Sequence, residues 1–272
     1  MASIVYNHKI VNFNRILAYG CSFTNGAELA DHILLGISAE EMDYLKDTKS
    51  RDEVSKLFSD RNFFNLEMEK AQHRLVWACK IADKFGVDFE NRAKAGSSNQ
   101  GMLFEVQRDL ATGRILDTDL ILVGLTNECR WLYFNDQGLP MNVLFGIDHN
   151  WPNKNVHNEM SLIANDFFLL YQYYNTLTQF NNLHRELNNR LLVQFLHHSF
   201  KDYINFHRTQ LTTNKEFMTL MEQHCNLQSV IDNDYCFGKF VHWDNDTHGY
   251  YHPKEEFHQI LADHLYGKLI EK

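Results

Sequence analysis

Proline is nearly missing from this chain: three occur among 272 residues. No tract is rich in glycine and serine, none is of low complexity, and no internal repeat shows. Those absences exclude an obvious linker between separately folding halves, so residues 1–272 are expected to form one large domain carrying insertions at about 27–70 and 125–160. Cysteine is scarce as well. Cys21, Cys79, Cys129, Cys225 and Cys236 are odd in number, scattered and without a C-x-x-C pair, which indicates neither a disulfide framework nor a thiolate zinc site; reduced intracellular thiols are expected. No apolar run approaches the ~20 residues of a membrane span. The opening residues lack a basic stretch followed by an apolar one, so no export signal is read and a cytoplasmic location is expected. Positive charge is in deficit. Lys and Arg number 26 against 35 acidic residues, a net charge of -9, which argues against nucleic acid or an anionic membrane as a general partner.

What is present starts at residues 15–26, RILAYGCSFTNG. A strand-length apolar run stops at Gly20 and gives way to residues that are small or turn-favouring, Phe23 excepted. The pattern reads as a buried strand delivering the Ser22 hydroxyl onto a tight turn. In an open α/β sheet chemistry gathers at the carboxyl ends of the strands, where loops and helix starts offer free backbone N–H groups. A lone G-x-S is also what an ordinary helix cap looks like, and only the rest of the chain separates the two readings.

Residues 27–70 are polar and helical in character, with a capping-box pattern at Ser38–Glu41 and a second short helix expected over 52–59. Over 71–85, Leu75, Ala78, Cys79, Ala82 and Phe85 fall on one helical stripe that Gly86 ends. A second strand is expected over 88–93, then the turn Lys94-Ala95-Gly96-Ser97-Ser98-Asn99, then a helix over 100–112 with Met102, Leu103, Val106 and Leu110 inward. Residues 119–124, DLILVG, form the cleanest continuous apolar run, as a central parallel strand requires. Residues 125–158 look irregular and aromatic. Trp131, Tyr133, Phe134, Phe145 and Trp151 there either stack on a sugar or acyl chain or pack a long loop onto the body. A long helix over 160–189 offers Phe167, Leu170, Tyr171, Tyr174, Leu177 and Leu187, a face broad enough to bury against the sheet or against a second subunit, which leaves a homo-oligomer open. A fourth strand is expected over 190–196, ending at His197-His198, an amphipathic helix over 214–225 and a last short strand over 239–241. The chain closes with a helix over 253–272 that has Pro253 at its first position, Glu255 and Glu256 in its first turn and an inward stripe of Phe257, Ile260, Leu261 and Leu265. Strands alternating with helices imply an α/β fold, a three-layer α/β/α sandwich on a central parallel sheet.

Three turns follow three successive strands, GCSFTNG, NRAKAGSSNQG and VGLTNECRW, and a fourth segment, DNDTHGYYHPKEEFH, precedes the last helix. In this order the four blocks resemble the SGNH/GDSL hydrolase family, whose sheet is flavodoxin-like. The form GCSFT, with Asn99 after the glycine of the second block, looks most like the divergent SGNH proteins of tailed phages and their hosts, which would place the chain in the host cytoplasm or the virion. The resemblance implies Ser22 as nucleophile, the N–H groups of Ser22 and Gly96 in the oxyanion hole, and His252 as base. Its expected substrate is a small-molecule or glycan ester, with no cofactor. The sequence departs from the family in three places. Cys21 replaces the usual aspartate of the first block. Thr126 stands where the third block has asparagine, with Asn127 one position later, so the third oxyanion donor lies among Thr126, Asn127 and Asn99. Gly249 stands three residues before His252, where the family has aspartate, which leaves Asp246 or Asp244 to orient the imidazole and His248 as an alternative base.

Three other readings compete. His242, Asp244, Asp246, His248 and His252 are all metal-ligand types in one segment, although their spacing matches no recognised motif. A thiol nucleophile at Cys21 would have to point the opposite way from Ser22 if strand geometry persists. Third, the altered third and fourth blocks would suit an SGNH fold kept as a binding or virion structural module with weakened chemistry.

Overall fold

The computed structural model describes residues 1–27, 29–49, 53, 56–57, 66–126, 130–135, 137–144, 166–197, 219, 227–237 and 253–271. The chain opens with β1 (Ala2–Tyr6) and β2 (Lys9–Phe13), an antiparallel hairpin. Its two-residue turn is Asn7-His8, at φ 48 and 62°, the left-handed pair that matches strand twist. Burial alternates along both strands: Ile4, Tyr6, Val11 and Phe13 are buried while Val5 and Ile10 are exposed.

β3 (Arg15–Gly20), β4 (Asp88–Asn91), β5 (Asp119–Leu125) and β8 (Leu191–Phe195) build the central sheet, all parallel, in the order β4-β3-β5-β8. Counted along the chain, that is the 2-1-3-4 order of flavodoxin-like sheets. A parallel bridge between Val193 and Val230 extends it beyond β8. Every residue of β5 and β8 is buried, which is why both read as unbroken apolar runs.

After β3 come α1 (Ser22–Asn25), α2 (Asp31–Leu35), α3 (Ala39–Thr48), α4 (Leu66–Leu75) and α5 (Trp77–Phe85). The capping box opening α3 is formed, with both Ser38–Glu41 bonds present. The single helix expected over 71–85 is corrected to α4 and α5, broken at Val76, which is extended at φ -78 and ψ 153°. Tertiary contact replaces the missing helical bond: the Trp77 N–H donates to Nδ1 of His258, 3.2 Å away.

α6 (Asn99–Ala111) connects β4 to β5, α7 (Asp166–Glu186) precedes β8, and α8 (Glu255–Ile270) closes the chain. The β3-to-β4 and β4-to-β5 crossovers run in opposite directions across the sheet. Right-handedness therefore puts α5 and α6 on opposite faces; α8 packs on α5, and α7 packs on α6. Residues 125–158 are not wholly irregular as expected, for they contain a second antiparallel hairpin, β6 (Arg130–Phe134) and β7 (Pro140–Leu144). Two details of the long helices also differ. Along α7, Tyr173 is buried and Tyr171 half exposed, and along α8 the inward residues are His258, Leu261, Ala262, Leu265 and Leu269 while Ile260 faces solvent. Pro253 is not the first helical residue, because Lys254 is the extended N-cap. The expected helix over 214–225 and strand over 239–241 lie outside the described residues, apart from Thr219. Among the described residues no helix is long and apolar enough to cross a membrane.

Candidate active site

β3 and β5 are neighbours whose outgoing connections lead to opposite sides of the sheet. Such a divergence leaves a crevice beyond the carboxyl ends of the two strands. Gly20 and Gly124 lie opposite each other there, and a Cβ on either would stand 2.2 Å from Thr24 Oγ1. The two glycines thus let α1 fold back over the strand ends, with Thr24 wholly buried between them. Trp77 Nε1 donates to the Thr24 hydroxyl at 3.4 Å from the other side.

Ser22 is the first residue of α1, after the extended N-cap Cys21, and is 6% exposed. At that position its N–H has no intrahelical acceptor, while its carbonyl accepts from Gly26 at 2.9 Å. The Ser22 hydroxyl makes no hydrogen bond to the other described residues. Cys21 is fully buried.

The loop after β4 is bonded directly to this turn. The Lys94 N–H donates to the Gly20 carbonyl at 3.0 Å, Asn91 Nδ2 donates to the Thr24 carbonyl at 2.8 Å, and Asn25 Nδ2 donates to the Ala93 carbonyl at 3.1 Å. Gly96 follows at φ 79°, with no atom of the described residues within 4 Å of where a Cβ would lie. A side chain at that backbone angle is strained. Ser98 then caps α6, its hydroxyl accepting from the Gly101 N–H at 3.0 Å.

Asn99 and Thr126 are both buried at 2% exposure and bonded twice. Asn99 Nδ2 donates to the Thr126 carbonyl at 3.0 Å, and the Thr126 N–H donates to Asn99 Oδ1 at 2.9 Å. The amide thereby fixes the backbone just beyond β5.

In the sequence His197 marks only the end of the fourth expected strand. It stands three residues beyond Gln194, the partner of Gly124, whereas Ser22 and Thr126 each stand two beyond the paired Gly20 and Gly124, so it lies at the same edge of three adjacent strands, one residue out of their register. Its ring lies flat on Phe23, with centroids 4.1 Å apart and planes 19° from parallel, and its Nε2 is 3.5 Å from Thr126 Oγ1. From Phe23 an edge-on ring contact leads to Phe237 at 5.7 Å, and from there another leads to His258 of α8 at 4.9 Å. The start of the closing helix is thus packed towards the end of β3.

Of the residues singled out from the sequence, Asn99 and Thr126 are bonded to each other, and Ser22, Gly96 and Thr126 follow the carboxyl ends of β3, β4 and β5, which are neighbours in the sheet. Asn127, Asp244, Asp246, His248 and His252 lie outside the described residues. Among the described residues no group of three or more His, Cys, Asp or Glu could hold a metal ion; the segment 242–252 is not among them. A histidine–carboxylate pair that the sequence did not suggest joins the middle of α8 to the segment after β8, with His264 Nε2 2.9 Å from Asp232 Oδ2. Burial pushes the Asp232 pKa up, but the hydrogen bond to His264 and the N–H groups of Asp234 and Tyr235 outweigh it and hold the carboxyl below its usual range.

No family model matches the sequence, and no curated protein is similar enough to count as a match. Among solved structures the chain is similar to a carbohydrate esterase at 16% identity, covering 96% of this chain and 69% of that one with a TM-score of 0.44. It is similar to a member of the lipolytic G-D-S-L family from Veillonella parvula at 14% identity, covering 92% of this chain and 94% of that one, TM-score 0.39. A carbohydrate acetylesterase from Sinorhizobium meliloti gives 10% identity, 94% and 97% coverage and a TM-score of 0.43.

Proposed function

We propose that this chain is a serine esterase of SGNH type that cleaves an acyl ester, such as an O-acetyl group on a carbohydrate or a lipid acyl ester, through an acyl-serine intermediate. The observation that carries the reading is the junction at the carboxyl edge: a serine at the start of a turn after β3, cross-bonded to the loop that holds a left-handed glycine after β4. Ser22 Oγ attacks the ester carbonyl while His252 removes its proton. The Ser22 and Gly96 N–H groups take the oxyanion, each worth about 3 kcal/mol in comparable sites. As the tetrahedral intermediate collapses, the imidazolium returns the proton to the departing alcohol, and water repeats the sequence on the acyl-serine.

The test is hydrolysis of an aryl acetate with no metal added. Ser22→Ala is expected to abolish it while the fold, followed by circular dichroism, stays intact; full activity in that variant removes Ser22 from the mechanism. A binding module with weakened chemistry is the second reading, favoured by the commitment of the Asn99 amide to the Thr126 backbone. A fluorophosphonate separates the two, since it labels only a serine activated by a base and an oxyanion hole. One adduct, on Ser22, is expected by intact mass, and no adduct in the folded protein would favour the binding module.

A further inference from the structure

If Ser22 and Gly96 supply two oxyanion donors, the sequence offers Thr126, Asn127 and Asn99 for the third. We infer that the Thr126 hydroxyl is that donor and that His197 is the positioning residue that aims it. The inference rests on the serine-esterase reading above.

Asn99 is the weaker of the two described candidates. Its Oδ1 and one Nδ2–H are bonded to the backbone of Thr126, so turning the amide towards a substrate would break both bonds. Thr126 is held by those same bonds. Its backbone is fixed at N–H and C=O, its β-branched side chain is stiff about χ1, and at 2% exposure its hydroxyl has little water to turn to. The remaining freedom is the direction of the hydroxyl hydrogen.

A hydroxyl has one hydrogen to give and two lone pairs to accept with. Were Thr126 to donate to His197 Nε2, no hydrogen would remain for an oxyanion. With the proton on Nε2, the imidazole donates to Thr126 Oγ1 across the 3.5 Å contact, and the threonine hydrogen is released towards the crevice where Ser22 stands. Negative charge growing on the substrate oxygen then draws the hydroxyl in and shortens both contacts, because hydrogen bonds in a chain polarise one another. The flat stack on Phe23 fixes the plane of the imidazole. Phe23 follows Ser22 in sequence, so the same turn that carries the proposed nucleophile also holds the ring.

The experiment is a double-mutant comparison on an aryl acetate, with kcat and KM measured separately. Thr126→Val keeps the shape and removes the hydroxyl; it is expected to lower kcat about a hundredfold with KM little changed. His197→Phe keeps a ring on Phe23 and removes the N–H, and should lower kcat in the same way. His197→Gln, which retains a donor, should recover most of that loss, and Thr126→Ser should stay near wild type. The Thr126→Val, His197→Phe double variant should be no slower than the slower single variant. Wild-type kcat in His197→Phe, or losses that multiply in the double variant, overturns the assignment of His197. Full kcat in Thr126→Val overturns that of Thr126. Should His197→Phe fail to fold, His197→Gln and Thr126→Val still decide, since a glutamine variant as slow as the valine one refutes rescue by a donor. Activity abolished by Ser22→Ala but untouched by these changes sinks this inference alone, whereas activity that survives Ser22→Ala sinks the serine reading and this inference with it.

Discussion

Pro253 is buried just before the cap of α8, and through His258, Phe237 and Phe23 that helix start is packed towards Ser22. His252 is covalently next to Pro253. His248 is five residues from it, across Gly249, and glycine restricts the backbone less than any other residue. A general base must be held within a fraction of an ångström of its proton, so the proposed base is the residue covalently next to the anchored helix start. His252→Ala is expected to lower turnover on an aryl acetate by about 10³-fold or more, His248→Ala by much less, with Asp246→Asn between them if that carboxylate orients the ring. The check is the turnover of the three variants with folding verified by circular dichroism. A dead His248→Ala beside an active His252→Ala would move the base by one turn of chain.

Between elements, the β6–β7 hairpin is held to the rest of the site by a polar contact. Asn142 Oδ1 accepts the Ser98 N–H at 2.9 Å and lies where a Cβ on Gly101 would come within 2.9 Å of it. The hairpin thus caps α6 from outside, and it does so beside the Gly96 turn. Arg130 adds a 3.5 Å contact to the Ser97 carbonyl, and Phe134 meets Phe104 edge-on at 5.4 Å. Asn142→Ala should cost about 1 kcal/mol in urea unfolding, the usual net loss for one hydrogen bond, and should speed hydrogen exchange at the Ser98 amide. Unchanged exchange there would mean the hairpin does not brace the turn.

Across the whole molecule, His184 ties the end of α7 and the start of β8 to the N-terminal hairpin, 177 residues away along the chain. Its ring is fully buried, meets Tyr6 of the N-terminal hairpin edge-on at 5.7 Å and contacts the Leu191 carbonyl of β8 at 2.6 Å through Nδ1. A carbonyl only accepts, so Nδ1 carries the proton and Nε2 is left to accept from Asn7 Nδ2 at 3.4 Å. Burial holds the His184 pKa below its ordinary value, the Leu191 bond partly opposes this, and the charges of Lys9 and Arg185 add to the lowering. The unfolded chain therefore binds a proton at a higher pH than the folded one. This contribution to stability is complete above the ordinary histidine value of ~6.5 and is lost as pH falls through the lower folded value. Urea midpoints should accordingly drop between about pH 7.5 and 5.5, and the drop should be smaller in His184→Asn. His73, lowered chiefly by burial, acts with the same sign, so the comparison with the variant is what isolates His184. An equal drop in both proteins would remove His184 from the pH dependence.

The sequence by itself determined the sheet and the position of Ser22. A strand buried on both faces must be a continuous apolar run, so residues 15–19 and 119–124 could be read directly, and the capping box at Ser38–Glu41 and the glycine stop at Gly86 are local signals formed as expected. What only the tertiary structure decided depends on residues far apart in the chain. The break at Val76 is stabilised by His258, 181 residues from Trp77. The role of Asn99 depends on Thr126, 27 residues away, and the place of His197 depends on Thr126, 71 residues away, and on Phe23. Hydrophobic period and turn chemistry report only what neighbours along the chain require of one another. Which side chains meet beyond the strand ends is fixed by strand order and by the direction of each crossover, and these are set only when the sheet assembles.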